Sequence, residues 1–136
     1  DNMNLGARLE SLCKYYGAQI LISEYTFKRL DQDRFTTRLI DNVIVKGKTE
    51  PVGVYEVLYS YHPFMKDQVS LKKFKEAFDL FLKGNFIEAK TSFDEILTIH
   101  PEDKASNRMS ETCAHWIENP PKEGEDFRVT TMKTKG

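Results

Sequence analysis

The repeat of apolar residues changes near the middle of the chain, and that change limits the architectures open to it. Up to about residue 59, short apolar runs alternate with turn residues and brief helical stretches. From about residue 68, apolar residues recur every three or four positions. A period near 3.6 builds one face of a helix, whereas a period of 2 builds a half-buried strand. The chain therefore reads as an α+β part followed by an all-α part.

The first part opens with "DNMNLGARLESLCKYYG", where Leu5, Leu9, Leu12, Cys13 and Tyr16 keep helical spacing and Gly17 is a natural stop. "AQILIS" follows as a short buried strand over residues 19–22. Ser23 is placed to cap the short helix "EYTFKRL". "FTTRLIDNVIVKG" is rich in β-branched residues and predicts strand over 36–46, with a turn at Asp41-Asn42. After the turn "KGKTEP", "VGVYEVLY" predicts a further strand over 51–58. Residues 1–59 thus read α-β-α-β-β.

"SYHPFMKDQ" mixes a proline with polar residues and reads as a linker over 60–67. Beyond it, Phe74, Ala77, Phe78, Phe81 and Leu82 share one helical face, and Gly84-Asn85 breaks the pattern. Phe86, Ala89, Phe93, Ile96 and Leu97 mark a second helix that ends ahead of Pro101. "DKASNRMSETCAHWI" supplies a third helix, with Trp116 and Ile117 as packing residues, and "NPP" ends it because a residue before proline avoids the helical region. The helical part spans 68–118, and the tail 119–136 reads as extended, with weak alternation in "FRVTTMKTKG".

The hairpin resembles a single tetratricopeptide repeat. Gly84, Phe86, Ala89, Phe93 and Pro101 sit at that pattern's offsets, while the first helix lacks its usual Trp and Leu-Gly. One such repeat cannot bury its own face, so the third helix is expected to cap it. Repeats of this type present concave faces to peptides, which makes the exposure of Lys72, Lys75 and Lys83 a point to check.

Composition removes several function classes. A net charge of −1 over 136 residues does not suit a protein that coats nucleic acid or an anionic membrane. No apolar run approaches the ~20 residues that cross a bilayer. The two cysteines, Cys13 and Cys113, are far apart and read as reduced, mostly buried thiols. His62, His100 and His115 form no metal-type cluster, so no zinc site is expected. The expected compartment is the cytoplasm, or the cytoplasmic part of a membrane-anchored parent.

One feature of the first helix is unusual. Asn4 and Arg8 stand four residues apart, on one line of an otherwise apolar helix. In this setting "DNMNLGARLES" resembles the helix after the third strand of class III nucleotide cyclases, whose pattern is roughly Gly-Asp-x-Val-Asn-x-Ala-x-Arg-Leu-Glu. Asp1, Met3, Asn4, Gly6, Arg8, Leu9 and Glu10 stand at the corresponding places. "ILISE" resembles the next strand of that family. "IDNVIVKGKTEPVGVYEVL" resembles its closing strands, with a Val-Lys-Gly-Lys turn and then Pro-Val-x-Val-Tyr-Glu. The matches fall in the family's order over residues 1–58.

The resemblance implies the C-terminal part of a ferredoxin-like cyclase domain, converting ATP, or less readily GTP, into the 3′,5′-cyclic nucleotide and pyrophosphate. Asn4 and Arg8 match the transition-state pair, the asparagine orienting the ribose and the arginine stabilising charge on phosphate. Lys46 matches the lysine that holds the triphosphate. Taken singly, Arg8 could pair with an acidic neighbour such as Glu10, Asn4 could cap the helix, and Lys46 and Lys48 could flank a solvated turn. The family works as a homodimer with two Mg²⁺ or Mn²⁺ ions, held by aspartates on strands that would precede Asp1. Residues 1–136 alone are therefore expected to be inactive, with strands seeking partners in another copy or a poorly folded first half. The abrupt start suits a proteolytic piece of a longer chain, to be checked by intact mass. The competing expectation is a degenerate homologue that serves as a protein-binding or dimerisation module.

Overall fold

The computed structural model describes residues 2–44 and 50–129, with the side chains of residues 2–4 left out of the description. Its class is mixed α+β, with a three-stranded antiparallel sheet and five α-helices among the described residues. The chain forms two compact units, one running to Met65 and the other from Lys66 to Arg128.

In the first unit, α1 (Asn2–Tyr16) stops where Gly17 takes a φ of 66°. The Ala18 N–H then bonds back to the Cys13 carbonyl at 2.9 Å, the wrap-around that closes a helix on a left-handed glycine. Strand β1 (Leu21–Ser23) leads straight into α2 (Glu24–Arg29), because the Ser23 hydroxyl accepts from the Thr26 N–H at 3.4 Å. Strands β2 (Thr37–Ile44) and β3 (Pro51–Val57) complete the sheet in the order β1-β3-β2, both pairings antiparallel. The order α-β-α-β-β predicted from the sequence is thus present.

The two faces of the sheet carry different partners. Arg38 stands opposite Glu56, Asp41 opposite Val54, and Val43 opposite Val52, all buried on one face. Tyr16 of α1 reaches this face, and its hydroxyl donates to Asp41 Oδ2 at 2.6 Å. On the other face, Phe27 of α2 stacks on Tyr55 with ring centroids 3.9 Å apart. Glu24 Oε1 accepts the Gly53 N–H at 2.6 Å. A Cβ at Gly53 would lie only 3.3 Å from both Leu39 Cδ1 and Tyr55 Cε1, so the absence of a side chain leaves room for these two strand neighbours.

The turn expected at Asp41-Asn42 is a bulge inside a continuous strand. The register slips between Leu39 and Asp41, leaving Ile40 as the extra residue. Asp41 stays in the strand because its carboxylate is satisfied there, by Tyr16 and by the Asn42 N–H at 2.7 Å. These bonds replace the solvent that an aspartate in a turn would have used.

In the second unit, α3 (Gln68–Leu82), α4 (Phe86–Ile99) and α5 (Lys104–Glu118) pack in sequence, α4 against both others. A φ of 84° at Gly84 turns the chain between α3 and α4. Ala77 and Ala89 are fully buried, and small residues at a helix crossing bring axes together. Phe74 meets Phe93 edge-on at 5.3 Å in the seam. Trp116 packs as expected against Phe86, but Ile117 is 38% exposed, because it lies one position further round α5. Pro63–Lys66 forms a 3-10 turn within the residues read as linker, and Phe64 in it is fully buried. The strand expected in "FRVTTMKTKG" falls largely on residues 130–136, outside the described residues.

Candidate functional site

Asn4 and Arg8 both lie in α1, one helical turn apart. The side chain of Asn4 is outside the described atoms, as is the whole of Lys46, in the connection between Ile44 and Pro51. The structure therefore describes one of the three side chains, that of Arg8. Leu5, Leu12 and Tyr16 are buried and fix the orientation of α1, leaving Arg8 half-buried beside them. Its Nη1 is buried without a hydrogen-bond partner among the described residues. A guanidinium nitrogen taken out of water and left unpaired costs stability unless an acceptor arrives. A carboxylate or phosphate oxygen is the kind of acceptor that a guanidinium fork pairs with.

The sequence reading missed a second polar group in the same unit. Arg38 Nε donates to Glu56 Oε1 at 2.7 Å, with both side chains about 98% out of solvent (1% and 2% exposed). The Arg38 guanidinium also lies 4.8 Å above the centre of the Phe64 ring. His62 Nε2 faces Glu56 Oε2 at 4.0 Å, while His62 Nδ1 accepts the Phe64 N–H at 3.0 Å. That bond leaves the proton of a neutral His62 on Nε2, toward the carboxylate. The signal was legible in principle: Arg38 alternates in phase with Ile40, and Glu56 in phase with Val52 and Val54, so both point to the core side of their strands. The group joins β2, β3 and the 3-10 turn, and its chemistry is that of a structural clamp.

Neither thiol is set up as a nucleophile. Burial pushes the Cys13 thiol up, with smaller contributions from Glu56 and Glu10. Burial pushes Cys113 up to about 12, so it stays protonated at neutral pH. In the helical unit, Lys72, Lys75 and Lys83 are exposed. Lys90, one turn earlier on α4, and the Ser110 hydroxyl both donate to Asp94, at 2.7 and 2.5 Å, and the second bond ties α4 to α5. Burial opposes ionisation of Asp94, but these two bonds outweigh it and hold its carboxyl below the usual range. Among the described residues no group of three or more His, Cys, Asp or Glu side chains could hold a metal ion. No described helix is long and apolar enough to cross a membrane.

No family model and no solved structure matches the chain. Two curated proteins do. "Adenylate cyclase, terminal-differentiation specific" of Dictyostelium discoideum is 34% identical over 120 residues, 83% of this chain and 6% of that protein. "Adenylate cyclase" of Anabaena cylindrica is 46% identical over 59 residues, 42% of this chain and 12% of that protein. The chain thus spans a small part of the length of either relative. The first match is longer than either compact unit, so the likeness extends across both. Together the two matches support a cyclase relationship for this chain.

Proposed function

We propose that residues 1–58 are the C-terminal part of a class III nucleotide cyclase domain, and that the parent protein makes cyclic AMP from ATP. The observation that carries the reading is Arg8: a half-buried guanidinium whose Nη1 lacks an acceptor among the described residues, at the place of the family's transition-state arginine. Cyclisation moves the ribose 3′ oxygen onto the α-phosphorus and expels pyrophosphate. Negative charge grows on phosphoryl oxygens, and a fixed cation there lowers the barrier. Arg8 would supply that cation and Asn4 would orient the ribose, while Lys46 would hold the triphosphate. The names of both relatives favour ATP over GTP.

The remaining parts of the reading follow from the class III resemblance. The metal-binding aspartates, for Mg²⁺ or Mn²⁺, would stand on strands N-terminal to Asp1. A second copy would bring them to the Asn4–Arg8 pair across a homodimer interface. This chain alone would then be inactive, and the tetratricopeptide-like helices would be an extension that follows the catalytic domain in the chain. The working compartment would be the cytoplasm.

The test is a cyclase assay of the intact parent with Mn²⁺ and either ATP or GTP, beside Asn4→Ala and Arg8→Ala. Product from the parent, and a loss of about 10²-fold or more in the arginine variant, is the expected result. Absence of product with both nucleotides would overturn it. A second reading, a degenerate cyclase acting as a protein-binding module, draws on Val69, Ile87 and Ile99, which are 75%, 70% and 63% exposed on the helical unit. The same assay separates the two readings.

A further inference from the structure

The ends of three helices meet in an aromatic socket. Phe81 lies in the last turn of α3, Phe86 opens α4, and Trp116 lies in the last turn of α5. Phe81 and Phe86 are 5.7 Å apart, and Phe86 and Trp116 lie nearly parallel at 6.5 Å. The ring of Phe127 enters this space from the segment after α5. It meets Phe86 edge-on at 5.0 Å, Phe81 at 5.7 Å and Trp116 at 6.5 Å. The position of a Cβ on Gly84 would come within 3.7 Å of its Cζ, so the ring also covers the α3–α4 turn.

The segment that delivers Phe127 satisfies its own polar groups. The Lys122 N–H donates to Glu125 Oε1 at 2.7 Å, and the Glu125 N–H to the Lys122 carbonyl at 2.9 Å. Gly124, at a φ of 88°, makes this turn possible. Asp126 Oδ1 accepts from both the backbone N–H and the Nε of Arg128, each at 3.0 Å. Among the described residues, every hydrogen bond of residues 122–128 closes within the segment. One aromatic ring is thus its anchor to the helices. Release breaks no hydrogen bond to them and uncovers Phe81, Phe86 and Trp116.

We propose that residues 122–128 are a releasable clasp, and that the socket is a peptide-binding site this segment occupies within its own chain. The same sequence supplied in trans, as by a second copy, fits the same site. The proposal is independent of the cyclase reading, since every residue in it belongs to the helical unit.

Trp116 is the chain's single tryptophan and reports on the socket directly. In the 136-residue chain, Phe127→Ala is expected to shift Trp116 emission to the red. The peptide KEGEDFRV, added in trans, is expected to reverse that shift saturably, and KEGEDARV to have no effect. The unaltered chain should resist the peptide, because a tethered ligand acts at an effective concentration on the order of mM. Gly124→Ala provides a variant with the ring intact. Its methyl meets nothing within 4 Å, so its effect is confined to the strained backbone, which should open the clasp roughly tenfold. This variant should accept the peptide at concentrations between those for the other two, and it carries the test alone if Phe127→Ala loses helix by circular dichroism. Equal binding to all three chains, unaltered Trp116 emission in folded Phe127→Ala, or no saturable response at mM peptide would each overturn the proposal.

Discussion

Arg38 and Glu56 are each almost fully buried and face each other across β2 and β3. Glu56→Ala would leave a guanidinium in the core without its carboxylate, and is expected to cost about 3–5 kcal/mol. The double change Arg38→Met, Glu56→Leu removes both charges together and should cost much less than the single one, because desolvation of an ion pair offsets most of its attraction. Urea titration of the three chains checks the order; a double variant less stable than Glu56→Ala would rule out this account. In the helical unit the telling residue is Asp67. The Ser70 hydroxyl and the Ser70 N–H, with His100 beyond them, hold its carboxyl at about 2 in place of 3.8. A depressed value means that the folded unit resists protonation more than the unfolded chain does. Asp67 therefore stabilises the fold above about pH 4, and the contribution fades as pH falls through about 2. Acid unfolding followed by far-ultraviolet circular dichroism should show a weaker pH dependence across this window in Asp67→Asn. An unchanged acid limb would mean that other carboxylates govern the transition.

At the scale of elements, helix starts separate by whether a side chain caps them. The Asp103 carboxylate accepts the Ser106 N–H at 3.1 Å at the head of α5, whereas Asn85 makes no side-chain bond at the head of α4. Asp103→Ala is expected to cost about 1 kcal/mol and Asn85→Ala only a few tenths, as read by thermal melting. Equal losses would show that capping is not what distinguishes the two helix starts. The elements themselves were legible where local chemistry decides them. Gly17 and Gly84 ended helices, Ser23 began one, and the periods of 2 and 3.6 sorted strand from helix. The misplaced turn at Asp41-Asn42 has a nonlocal cause. Local chemistry favours a turn there, but the Tyr16 hydroxyl, 25 residues earlier, satisfies Asp41 inside the strand. The contact between Asp67 and His100, 33 residues apart in sequence and 2.8 Å apart in space, was invisible for the same reason. Of the candidate site, the helix that carries Arg8 was legible in the sequence, while the burial of its Nη1 depends on the packing around α1 and has no counterpart in the residue pattern.

At the scale of the whole chain, two compact units share one sequence, and each contains one cysteine. That distribution gives a readout of each unit in a single sample. Cys13 lies half-buried on α1, so a thiol reagent can reach it through small openings of the first unit. Cys113 is fully buried on α5, and its thiol is held up to about 12, so at neutral pH it offers neither access nor thiolate. Modification of Cys113 then requires the helical unit to open, and its rate at low denaturant measures how often that happens. The expected outcome with a neutral alkylating reagent at pH 8 is slow but measurable labelling of Cys13 in the native chain, and labelling of Cys113 only as urea is raised. The urea dependence at Cys113 should steepen toward that of helix loss by circular dichroism, because the thiol is fully buried on α5, which packs on α4. Asp103→Ala, which weakens the head of α5, should raise the Cys113 rate about fivefold at fixed urea, following its loss of about 1 kcal/mol. It should leave Cys13 unchanged. Prompt labelling of Cys113 without urea would instead mean that α5 frays locally, and that its core position does not govern its access.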